Sequence, residues 1–264
     1  MNAISKTFVR IGARANIYES GGTAPLRLDV RNDRRGEYFD IRHAPGVELQ
    51  VLDVQRELRH LLLFTHQAGA KHKFLCGHDE RHWFVAAVPE GRGAGVSTVA
   101  TAMEALKPDR VLAAQEQQRL GARRRNRRRN AAFVRQGEWF FVPVDPARAR
   151  LVDERMILYN EPLRRSGVNK PHQCEQLVRQ PGAPMMVCRA YPYGLEMADY
   201  QHLLRRQPEA AKWGWSVTTR VSSVLVRGRV RHADHATIVL HGWHQVQLNT
   251  EGLAPGQSLV TFLD

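Results

Sequence analysis

The chain has 264 residues, 43% of them apolar, with 39 basic and 26 acidic side chains and a formal net charge of +13. That apolar fraction excludes a disordered basic tail, and the length suits one large domain or two small ones. There are three cysteines, Cys76, Cys174 and Cys188, no apolar run behind the N-terminal charges, and no uncharged apolar run near the ~20 residues a spanning helix needs. A disulfide scaffold, a secreted precursor and a helical membrane protein are therefore not expected, and a cytoplasmic protein is.

Residues 6–30 alternate apolar and polar around Ser20-Gly21-Gly22, which reads as strand, turn, strand. A charged turn follows at Asn32–Gly36. Val47–Val54 alternates strictly, as a half-buried strand does. Arg59–Gln67 is more continuously apolar and reads as a central strand. Lys71–Pro89 reads as a hairpin turning at Gly77-His78-Asp79-Glu80. Gly91–Gly95 reads as loop. Ser97 or Thr98 can cap a helix that stops near Pro108, and Asp109 a second helix that breaks or kinks at Gly121. Ala132–Val144 reads as a hairpin turning at Gln136-Gly137, and residues 174–190 as another, turning at Pro181-Gly182. Leu195–Ala211 is helical with an interruption at Pro208. Two or three strands close the chain, with a tight turn at Ala233-Asp234.

Strands and hairpins with a few interspersed helices, rather than a βαβ alternation, give an α+β class built mostly of antiparallel hairpins. The chain reads as one unit of residues 1–264. The other division is two lobes, 1–120 and 131–264, joined by the basic segment 121–130.

That basic segment dominates the charge pattern. Arg123, Arg124, Arg125, Arg127, Arg128 and Arg129 fall within seven positions, Arg119 and Arg135 flank them, and no acid lies between Glu116 and Glu138. Removing these eight charges from the net +13 leaves +5, so the excess is concentrated as a binding footprint is. Guanidinium groups grip phosphate oxygens in pairs, which makes a polyphosphate backbone the expected partner. On a continuous helix the i, i+4 like-charge pairs would each cost about 0.2–0.5 kcal/mol, so the run is expected to be poorly ordered until a ligand neutralises it. Lipid binding would need an apolar face that RRRNRRRN lacks, and a nuclear-localisation signal does not suit a composition of bacterial character. Trp139, beside the run, is a candidate for stacking on a base, which favours RNA over DNA.

Two further groups could carry chemistry. Cys76, His78 and His82 surround one turn and are the candidate metal ligands, although no established zinc spacing is present. His172, Cys174 and Cys188 form a looser set. His232 and His235 flank the turn near the C-terminus and are the candidate acid and base for cleaving RNA through its 2′-hydroxyl. Phosphate-binding and dinucleotide loops, hydrolase elbows and paired-carboxylate motifs are absent, so no cofactor is expected. Motifs of the RNA-recognition, KH, double-stranded-RNA-binding, OB and helix-turn-helix families are absent as well. The sequence thus points to a nucleic-acid-binding protein, working alone or as a subunit of a nucleoprotein complex. The alternatives are a histidine-based or metal-assisted ribonuclease, and an adaptor whose arginines meet an acidic protein.

Overall fold

The computed structural model describes residues 3–20, 25–164, 170–180, 183–220 and 223–251. It is an α+β protein rich in antiparallel sheet, and no helix among these residues is long and apolar enough to cross a membrane. The chain divides into two compact units. The first holds the described residues through Phe140 together with 234–236 and 247–251; the second holds Phe141–Ala233 and Thr237–Val246.

The first unit begins with a helix, α1 (Ala3–Val9), where alternation suggested a strand. Phe8 is buried and packs on Phe39 with ring centroids 4.8 Å apart, so the apolar positions serve one helical face. Strands β1 (Ala15–Glu19), β2 (Leu26–Asp33) and β3 (Gly36–His43) form a sheet in the order β1-β3-β2. β2 and β3 are antiparallel about the charged turn, and Gly36 supplies a left-handed φ of 97° there. β1 runs parallel to β3, an exception to the antiparallel rule of the molecule.

A four-stranded antiparallel sheet follows, ordered β4 (Glu48–Gln55), β5 (His60–Gln67), β6 (Ala70–Asp79) and β7 (His82–Ala87). β5 is buried on both faces. Leu61 and Leu63 join Phe8, Phe39, Ile41 and Cys76 on one side, while Leu62 joins Leu75, Val99 and Met103 on the other. Alternation between two cores requires apolar residues at successive positions, which is the continuous apolar run read as a central strand.

The β6–β7 turn falls at Glu80-Arg81, not at Gly77–Glu80. Gly77 is held inside the strand because the His60 imidazole lies on it; a Cβ there would sit 2.6 Å from the ring. Glu80 takes the strained corner instead, with φ of 53°.

Next come α2 (Glu90–Gly93), a single turn where a loop was expected, and α3 (Val99–Ala105). Thr98 caps α3 in a reciprocal box with the Thr101 side chain. In α4 (Asp109–Gln117) the cap position is Pro108; Asp109 is the first helical residue and pairs with Arg92 rather than with the helix backbone. One turn, α5 (Ala122–Arg125), and strand β8 (Val134–Gln136) complete this part, and β9 (Trp139–Pro143) follows after Gly137 at φ 58°.

In the second unit, α6 (Pro146–Ala149) is capped by Asp145. A sheet in the order β10-β11-β15-β16-β9 is built from β10 (Leu158–Leu163), β11 (His172–Gln180), β15 (Ser223–Arg231) and β16 (Ile238–Leu248). Val178, Leu225 and Trp243 form its buried cluster. A smaller sheet, β13-β12-β14, contains β12 (Ala183–Cys188), β13 (Tyr191–Glu196) and β14 (Ser216–Arg220), with α7 (Met197–Arg206) and a 3₁₀ turn at Pro208–Lys212 beside it.

The hairpin expected over residues 174–190 is not formed. β11 pairs with β10 and β15, whereas β12 pairs with β13 and β14, so both edges of each strand are taken. The turn expected at Pro181-Gly182 lies outside the described residues. The tight turn expected at Ala233-Asp234 is a six-residue loop, 232–237, between β15 and β16.

Candidate nucleic-acid interface

The basic segment lies within the first unit. It leaves α4 through Arg119, at φ 48°, whose N–H reaches the Glu116 carbonyl while the N–H of Leu120 reaches that of Gln115. This left-handed termination satisfies helix-end carbonyls. α5 then lasts only one turn. None of the like-charge pairs Arg123/Arg127, Arg124/Arg128 or Arg125/Arg129 lies wholly inside it, so the helical repulsion expected from the sequence does not build up.

The remainder of the run folds back on itself. Arg129 and Val134 form an isolated antiparallel bridge, and the Arg135 N–H donates to the Arg128 carbonyl at 2.6 Å. Asn130 holds the bend. Its Oδ1 accepts from the N–H groups of Ala132 (2.9 Å) and Phe133 (3.1 Å), while its Nδ2 donates to the carbonyls of Arg124 (3.2 Å) and Arg127 (3.3 Å). Short amide side chains favour such local turns.

From below, Lys107 tethers the loop. Its side chain is 3% exposed, and the ammonium donates to Glu104 Oε1 (2.5 Å), the Arg125 carbonyl (2.9 Å) and Asn126 Oδ1 (2.8 Å). The buried Gln115 adds a 2.6 Å bond to the same Arg125 carbonyl. Burial pushes the Lys107 pKa down, and the Glu104 carboxylate opposes that shift.

Arg125, Arg128 and Arg135 are taken up by carboxylates of the same unit. Arg125 reaches Glu104 Oε2 at 3.0 Å. Arg128 is clasped by Asp79 and Glu80, and Arg135 meets Asp79 at 3.2 Å. Burial, with Arg135 as a second positive charge nearby, pulls Arg128 down to about 10, so it stays protonated at neutral pH. The carboxylates come from the β6–β7 turn and from α3, far away in sequence. Arg119, Arg123, Arg124, Arg127 and Arg129 are exposed, and no ion pair among the described residues involves the first four of these.

Trp139 is fully buried, and Phe133 and Phe140 pack edge-to-face at 5.1 Å beneath the loop. These rings are core and leave Trp139 no face on which a base could stack.

The turn carrying Asp79 and Glu80 also organises the candidate histidines. Glu80 accepts from the Ala236 N–H at 2.6 Å and lies 3.6 Å from His235 Nδ1. His82 Nδ1 bonds Glu37 at 2.6 Å, and its Nε2 is 3.8 Å from Asp234. Glu37 is fixed in turn by the Trp83 N–H at 2.9 Å. His78 packs edge-on to Trp83 at 4.9 Å; burial, then the nearby Arg59 charge, pulls its pKa down. Cys76 is fully buried, and burial pushes its thiol pKa up. Among the described residues, Cys76, His78 and His82 do not converge closely enough to share an ion. In the second unit, His232 bonds the Lys170 carbonyl at 3.0 Å and stacks on His172 at 4.3 Å. Cys174 is also fully buried, and desolvation pushes its thiol up to about 12, far from a reactive thiolate.

Sequence reasoning found the arginines and missed what holds them. Asn130, followed by two alanines and an aromatic, was a readable turn signal. Lys107 carried none, because one lysine after a helix resembles any surface lysine. Comparison of the chain with protein-family models, with curated proteins and with solved structures returned no match.

Proposed function

We propose that this protein binds nucleic acid through phosphate contacts from Arg119, Arg123, Arg124 and Arg127, alone or within a nucleoprotein complex. One observation carries the reading: these four guanidiniums are exposed on a loop whose backbone is already tied down, while their neighbours in sequence are the ones matched to carboxylates. A loop fixed by Lys107, Gln115 and Asn130 loses little conformational freedom when a ligand settles on it. Uncompensated positive charge at such a place is best matched by a chain of phosphates, which Arg recognises through its planar fork.

The test replaces all four outer arginines with glutamine and measures binding of a labelled oligonucleotide by fluorescence anisotropy at moderate salt. Affinity should fall by about a hundredfold or more, since each phosphate contact adds a salt-dependent increment. Thermal denaturation should be nearly unchanged. Undiminished binding by the folded variant would remove the proposal.

A further inference from the structure

The second unit contains an aromatic group that the basic loop does not account for. Tyr191 opens β13, and Trp213 and Trp215 lie between the 3₁₀ turn and β14. The centroid separations are 5.7 Å for Tyr191–Trp215, 6.2 Å for Tyr191–Trp213 and 6.5 Å for Trp213–Trp215, with interplanar angles of 21°, 15° and 16°. In a column of three parallel rings one separation would be about twice the others. Three nearly equal separations exclude a column. The planes are nearly parallel and each pair is stacked with its centroids offset, which makes a stepped cluster rather than a column.

All three side chains are half-buried, so part of each remains open to water. Their seat is fixed. Trp215 Nε1 donates to the Ala210 carbonyl at 2.7 Å, and Tyr200 closes edge-on against Trp215 at 4.8 Å. The Trp213 N–H reaches the same Ala210 carbonyl at 3.1 Å, and Ala210 is fully buried. Exposed cations flank the rings in sequence: Arg189 precedes Tyr191 by two residues, Lys212 precedes Trp213, and Arg205 and Arg206 end α7.

We infer that Tyr191, Trp213 and Trp215 form a stacking platform for unpaired bases of single-stranded nucleic acid, with Arg189 and Lys212 supplying phosphate contacts. The inference builds on the nucleic-acid reading above and narrows its ligand to single strands. Partly open aromatic rings with exposed cations next to them in sequence suit single strands held without sequence preference, because every base has a π-face. A sugar would also lie on such rings, but a neutral sugar would draw nothing from Arg189 and Lys212.

The experiment titrates the full chain with a labelled oligouridylate and, separately, with a blunt RNA duplex. Binding is read by anisotropy and by tryptophan fluorescence. The wild-type chain should prefer the single strand and show quenching on binding. Trp213→Ala should weaken oligouridylate binding by about tenfold with an unchanged salt dependence, and Trp213→Phe, which keeps a ring and guards against a folding artefact, should restore most of it. Equal binding by wild-type and Trp213→Ala chains would overturn the platform while leaving the arginine reading intact. So would equal affinity for duplex, or quenching by a neutral oligosaccharide in place of the oligouridylate. Failure of the wild-type chain to bind either nucleic acid would overturn both.

Discussion

Seven of the eight arginines from Arg119 to Arg135 divide into an inner and an outer set, and the two sets differ in what stands in for water. Arg125, Arg128 and Arg135 turn inward to Glu104, Asp79 and Glu80. Arg119, Arg123, Arg124 and Arg127 stay in solvent on the same short stretch. Side chains of one type thus hold the loop in place in one set and are left available to a ligand in the other. A count of charge along the sequence cannot separate these roles; only the position of distant carboxylates does.

The contrast predicts unequal responses to substitution. The largest should come from Asp79→Ala, which leaves Arg128 and Arg135 facing each other without their shared acid. Removing one partner from a largely buried charge cluster costs about 3–5 kcal/mol, measurable by chemical denaturation. Any one outer arginine changed to glutamine should shift the same measurement by no more than about 0.5 kcal/mol.

Acid should load the inner region as well. His60 lies on Gly77 in the strand that leads to Asp79, and burial, despite a hydrogen bond to the Leu58 carbonyl, pulls its pKa from 6.5 down to about 4. Arg135 and Arg128 add smaller downward pushes. The unfolded chain therefore takes up this proton before the folded one does. Stability should be full above about pH 6.5 and decline as the pH falls toward 4, by up to about 3 kcal/mol from this group. A His60→Phe variant should lose that part of the slope in a pH series of denaturation curves; an unaltered slope would show that other groups carry it.

A smaller effect, of about 2 kcal/mol, is expected for Lys107→Met, which leaves Glu104 Oε1 and Asn126 Oδ1 without their buried donor and removes one of the two bonds to the Arg125 carbonyl. This variant sharpens the comparison further. Its outer charges are intact, so affinity for nucleic acid should drop through loss of order in the loop while the salt dependence is kept.

Much of the framework was legible in the sequence. The period-2 pattern of β4, the continuous apolar run of β5 and the stops at Pro108 and Pro208 are local signals, and the elements fall where those signals sit. α1 was misread because seven residues are too few to distinguish a helical face from a short strand. The β6–β7 turn was misplaced because Gly77 looked like a turn residue, whereas its task is to admit the His60 ring. Trp139 beside a basic run and Trp213 beside Lys212 give similar local patterns, yet one is fully buried and the other is half open. Burial of that kind depends on which strands pack together, and so does the supply of carboxylates to Arg128 and Arg135 from a turn some fifty residues away.

The outer set is tested most directly by the slope of log affinity against log salt concentration for single-stranded RNA, compared between the wild-type chain and the variant with Arg119, Arg123, Arg124 and Arg127 changed to glutamine. At about 0.7 per phosphate contact on a single strand, the variant should have a slope shallower by about 3. Parallel lines for the two proteins would contradict the account.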